Sequence, residues 1–179
     1  MKLFQIRVTL RHSQPQVWHC LQVPTDIRLG RLHRVLQIAM GWTDSHLHAF
    51  RSRGAAYGLP DPEFPDGTRS ERNVRLDKVA AAGDAFVYEY DFGDGWEHEL
   101  KIEKSLPADP AIHYPRCIGG ERACPPEDCG GPPGYEDLLE ALGDPAHPEH
   151  NGIREWLGCD FKSEHFDLAE VNQRLWRLR

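Results

Sequence analysis

Residues 88–104 read YEYDFGDGWEHELKIEK, and their pattern decides the fold. Asp94-Gly95 is a strong hairpin-turn pair. Before it, residues 86–91 form a strand. After it, Trp96, His98, Leu100 and Ile102 share one strand face, and Glu97, Glu99, Lys101 and Glu103 share the other. The segment is therefore a hairpin with one buried face, and that face carries an imidazole.

A second hairpin opens the chain. Phe4, Ile6, Val8 and Leu10 alternate with Gln5, Arg7 and Thr9, and Val17, His19, Leu21 and Val23 alternate back after a turn at residues 12–15. Thr25 or Asp26 is placed to cap a helix whose Leu29, Leu32 and Leu36 recur at helical spacing up to Met40, with Gly41 as its stop. A short strand is expected over residues 46–51, a long loop over 52–73 and another loop over 105–134. Helices are expected over 136–142, 148–157 and 168–178, the last capped by Asp167. The spacing predicts an α+β fold in one domain spanning residues 1–179. A mixed or antiparallel sheet from the two hairpins carries a packed helix in a β-grasp-like start, and helices end the chain.

Composition narrows the function. A 40% hydrophobic and 27% charged chain of 179 residues can bury a core without disulfides. No apolar run approaches the roughly 20 residues that span a bilayer, so no membrane association and a cytoplasmic location are expected. The formal charge of -7 opposes tight DNA binding by the chain alone. Five cysteines without an export signal read as free thiols or metal ligands.

The second informative stretch, residues 114–135, reads YPRCIGGERACPPEDCGGPPGY. It places Cys117, Cys124 and Cys129 in a Pro/Gly-rich loop. Zinc takes four thiolate or imidazole ligands, so these three thiols with His98 are a candidate zinc set. The spacing is not the paired C-x2-C of a ribbon, and the alternative is small buried thiols pinning the loop. Asp91 and Asp94 with His98 form a second candidate, for a hard metal. His46 and His48 would share one strand face. His147 and His150 read as a helix-start pair. The candidate binding surface comprises Asp91, Asp94, Trp96, His98, Glu127 and Asp128.

Five segments together resemble the plasmid Ri open-reading-frame-three-like family: HRVLQIAMGWTDSHLHAF (33–50), YDFGDGWEHELKIEK (90–104), YPRCIGGERACPPEDCGGPPGYEDLLEAL (114–142), DPAHPEHNGIREWLG (144–158) and FDLAEVNQRL (166–175). The resemblance covers nearly the whole chain and implies an α+β fold without an established activity. Members are often labelled TnpR-type resolvases. Serine recombination needs an activated Ser among several Arg, and of Ser13, Ser45, Ser52, Ser70, Ser105 and Ser163 only some have an Arg beside them. The label therefore implies an association with plasmids and mobile elements, not a mechanism. Three functions are compatible with the sequence. The first is an accessory or interaction module, with a protein partner, whose working surface is the cysteine loop over the sheet. The second is a zinc-dependent, hydrolytic enzyme using His98, Asp91 and the thiols. The third is a nucleic-acid-associated factor of mobile elements.

Overall fold

The computed structural model describes every residue except Phe64 and Arg179. In chain order the elements are β1 (Lys2–Leu10), β2 (Trp18–Pro24), α1 (Leu29–Met40), β3 (His48–Ser52), β4 (Ala55–Gly58), β5 (Arg69–Ser70), α2 (Leu76–Val79), β6 (Ala85–Tyr90), β7 (Trp96–Pro107), β8 (Arg116–Glu121), α3 (Gly131–Gly143), α4 (His150–Leu157) and α5 (Leu168–Trp176). The fold is α+β. The strands form one mixed sheet in the order β5-β4-β3-β6-β7-β1-β2-β8, antiparallel except between β4 and β5.

The two hairpins join through β1 and β7, which sets Ile6 opposite Ile102 and Val8 opposite Leu100. Those side chains are fully buried, as are Leu29, Leu32 and Leu36 of α1. The alternation on the strands and the 3.6-residue recurrence on the helix thus build one core. Each buried Leu contributes about 2 kcal/mol of burial free energy. Gly41 ends α1 in the left-handed conformation (φ 82°), as its position predicts.

Several local expectations are corrected. Neither Thr25 nor Asp26 caps α1. Its N-cap is Arg28, and Leu29 N–H is satisfied by the Val74 carbonyl across a bridge from Arg28 to Arg75. Residues 52–73 are not structureless, since β4 and β5 extend the sheet there. Residues 105–134 hold the end of β7, all of β8 and the start of α3. Strand β8 is a sheet edge, and α5 covers part of it. Asn172 accepts from Cys117 N–H and donates to the Cys117 carbonyl, both at 2.9 Å. Asp167 caps α5 as predicted, accepting from the amides of Ala169 and Glu170. No helix among the described residues is long and apolar enough to cross a membrane.

Candidate metal centre at the loop–hairpin junction

The turn between β6 and β7 spans residues 91–95. Asp91 adopts φ 56°, a conformation few side chains tolerate. Its Oδ1 accepts from the amides of Gly93 (3.0 Å) and Asp94 (3.3 Å), so the carboxylate builds its own turn. The cysteine loop folds onto this turn. Asp94 Oδ2 accepts from Gly130 N–H at 3.2 Å. Trp42 donates its indole N–H to the Pro125 carbonyl at 2.9 Å.

A third segment, residues 43–46, closes the junction. Tyr90 Oη accepts from the amides of Ser45 (2.9 Å) and His46 (3.3 Å) and donates to Glu127. Glu127 also accepts from the Thr43 amide and the Thr43 hydroxyl. These bonds bend the chain before β3. His46 therefore does not share a strand face with His48, as its sequence position predicts. It stands edge-on to Tyr90 and points at the turn.

The result is a three-residue cluster. His46 Nε2 lies 3.1 Å from Asp128 Oδ1 and 3.6 Å from Asp91 Oδ2. All three ligand atoms lie within 4.8 Å of one another. The nitrogen is shielded from solvent and meets neither carboxylate in hydrogen-bonding geometry. Ligands about 2.1 Å from a common ion stand about 3.0–3.4 Å apart at octahedral or tetrahedral angles, which is close to the two observed separations. One imidazole and two carboxylates suit a first-row divalent ion. The Asp128 side chain is 69% exposed, so the cluster opens toward solvent on that side.

Of the expected surface residues, Asp91, Asp94, Glu127 and Asp128 meet at this junction. Trp96 and His98 do not belong to any surface. Both are buried on the inward face of β7, where His98 meets Trp42 edge-on. His98 Nδ1–H donates to the Tyr88 carbonyl at 3.3 Å.

The thiol set is also corrected. Cys117, Cys124, Cys129 and His98 are not among the groups of described residues whose ligand atoms converge within 4.8 Å. Cys117 lies on β8 and bonds the Gly119 carbonyl. Cys124 packs its sulfur 2.9 Å from Met40 Sδ. Cys129 lies where Asp94 and Asp128 act on it. Burial raises all three thiols, that of Cys129 to about 12 with further help from Asp94 and Asp128. Protonated, buried thiols are packing groups. Cys124→Ala should therefore cost about 1 kcal/mol in urea unfolding, and chelator should leave that difference unchanged.

Sequence reasoning missed a second cluster. His33 of α1 and His48 of β3 stack with ring centres 3.5 Å apart and planes 4° from parallel. Gln37 donates to Tyr88 Oη, so the Tyr88 hydroxyl donates to His33 Nδ1 at 2.8 Å. His33 Nε2–H then donates to Asp44 at 2.7 Å, and His48 Nε2–H to Glu71 at 2.9 Å. Burial lowers the pKa of His33 and the adjacent His48 lowers it further. Spacing gives no hint of this pair, because α1 and β3 meet only through the core.

The fold and junction define a class: an α+β protein with an acidic, imidazole-bearing site where a Pro/Gly loop meets a hairpin turn. The chain belongs to the plasmid pRiA4b ORF-3-like protein family, whose sequence model matches residues 2–170. It is 47% identical over 174 residues to the uncharacterized protein y4hQ of Sinorhizobium fredii, covering 94% of this chain and 88% of that protein. It is similar to the crystal structure of MM3350, a protein of unknown function from Methanosarcina mazei Go1, at a TM-score of 0.88 and 36% identity over 95% of this chain and 97% of that one. These relatives carry no described function.

Proposed function

We propose that the chain is a divalent-metal-dependent protein whose working centre is the ion held by His46, Asp91 and Asp128. The observation that carries this reading is the Nε2 of His46, shielded and without a hydrogen bond, between two carboxylate oxygens at 3.1 and 3.6 Å. With three protein ligands, the ion has room for a water and a substrate oxygen, and Lewis-acid hydrolysis is the chemistry such a site supports. The thiols and His98 take no part.

Metal titration of chelator-treated protein with Zn2+ and Mn2+, read by calorimetry, tests this. One ion should bind per chain with a dissociation constant at or below about 10 μM. Asp91→Asn keeps the Oδ1 that builds the turn, and it should weaken binding about tenfold or more, as should His46→Ala and Asp128→Asn. Wild-type affinity no tighter than about 1 mM would leave only an ion pair at the junction and would refute the proposal.

A second reading, an interaction module, has one observation in its favour. Leu47, Leu59 and Phe92 stand exposed around a cavity of about 290 Å³ next to the junction, and exposed apolar clusters mark contact surfaces.

A further inference from the structure

Helices α3 and α4 lean together beside the metal centre and leave a cavity of about 250 Å³. Leu138 and Ile153 give it apolar walls, and Trp156, 53% exposed, gives it an aromatic one. Its remaining walls carry Asp128, Asp137 and Glu149, from three separate segments. Among the described residues no Lys or Arg lines it. Among the described residues Asp137 and Glu149 form no ion pair, although the chain makes such pairs freely elsewhere, as Arg122 does with Glu164 and Arg51 with Glu89. Helix α4 buries no residue completely, so its apolar side is only partly covered. Asp128 belongs both to this cavity and to the metal centre.

The geometry points to a recognition pocket for an ammonium or guanidinium group on an aliphatic stem. The inference rests on the metal reading above for what happens beside the pocket, but not for the pocket itself. Carboxylates on three sides attract a cation and repel an anion. An indole face adds attraction that an uncharged chain does not receive. Leu138 and Ile153 suit the methylene stem that lysine and arginine carry behind their charge. A volume of about 250 Å³ holds one such side chain and not a folded surface. The substrate class is therefore a basic peptide or a polyamine, bound with its cation in the pocket and its neighbouring groups toward the ion on Asp128.

The test is binding of Nα-acetyl-lysine amide, Nα-acetyl-arginine amide and spermidine to the full chain, with Nα-acetyl-norleucine amide as the isosteric uncharged control. Each is titrated with and without Mn2+. The lysine or arginine probe should bind about tenfold or more tighter than norleucine, a difference of about 1.4 kcal/mol. Asp137→Asn, Glu149→Gln and Trp156→Ala should each weaken it about fivefold. All three variants should leave Mn2+ affinity unchanged, since the side chains are not among the three proposed ligands, and Asp137→Asn and Glu149→Gln should leave the melting temperature unchanged, since both carboxylates are exposed. Binding of spermidine alone assigns a free polyamine as the source of the cation. Equal binding of norleucine and lysine amides, or unchanged binding in all three variants, overturns the pocket. Cation binding that persists without any metal affinity leaves the pocket standing and removes the metal reading. Metal binding without cation binding does the reverse.

Discussion

Lowering the pH from 7 to 4 is expected to unfold the protein, with the steepest loss between pH 6.5 and 4. Two imidazoles carry most of this. His19 and His98 are buried, and burial lowers each pKa to about 4. The partial offsets are the Arg122 backbone at His19 and the Tyr88 and Trp96 backbones at His98. Both rings also keep an unpartnered nitrogen, Nδ1 of His19 and Nε2 of His98, so neither has an acceptor waiting for a second proton. The folded pKa lies below the unfolded value of 6.5, so the unfolded chain binds more protons in this window. Stability is complete above pH 6.5 and falls as the pH approaches 4. At 1.36 kcal/mol per pH unit, the pair accounts for about 6 kcal/mol, comparable to the whole stability of a domain, about 5–15 kcal/mol. His33 acts in the same direction. Urea unfolding at pH 7, 5.5 and 4.5 measures the slope. His98→Leu should roughly halve it, because it removes one of the two sites. A change below about 1 kcal/mol between pH 7 and 4.5 would mean that these rings titrate normally and are not enclosed.

How far the sequence carries depends on whether a contact is local. The hairpins were legible because alternation on β1, β2, β6 and β7 is fixed by the pleat itself. The burial of Leu29, Leu32 and Leu36 was legible because helical spacing selects a face. The junction itself was legible in part: a Pro/Gly loop beside an Asp-rich turn did mark where the two segments meet. The choice of imidazole was not. His98 sits on the predicted inward face, and that face proved to be core, under Trp42. His46 reaches the carboxylates because a distant hydroxyl, Tyr90 Oη, holds the Ser45 and His46 amides. No spacing rule encodes a bond between residues 45 apart. The thiols misled for a related reason. Proximity in sequence put them on one loop, but the loop contains a strand, and β8 carries Cys117 away from Cys124 and Cys129.

Gly134→Ala should destabilise the protein by about 3 kcal/mol and weaken the proposed metal binding about tenfold without changing His46, Asp91 or Asp128. The argument is steric. A Cβ at Gly134 would lie 1.9 Å from the Cys129 carbonyl oxygen and 2.9 Å from its carbon. Both are backbone atoms, so no side-chain rotation relieves the clash. The first turn of α3 folds back over Cys129 and closes with Gly134 N–H donating to Gly130 at 3.3 Å. The neighbouring contact is as close: a Cβ at Gly131, itself at φ 70°, would stand 2.3 Å from the Asp94 carbonyl oxygen. These two glycines let loop and turn meet backbone to backbone. An alanine at 134 must push the Cys129 carbonyl outward by about 1.5 Å to reach ordinary contact, and Asp128 is the adjacent residue in the chain. The displacement lands on Asp128, whose carboxylate stands 3.1 Å from His46. Gly152→Ala is the control. Nothing lies within 4 Å of a Cβ there and its φ is ordinary, so in α4 it should be neutral or stabilising by up to about 1 kcal/mol. Both variants are compared by urea unfolding and Mn2+ titration. If Gly134→Ala loses stability but keeps full affinity, Asp128 is positioned by its contact with His46 and by the Gly130–Asp94 bond rather than by α3. If it loses neither, the close approach at Cys129 does not hold the loop at all.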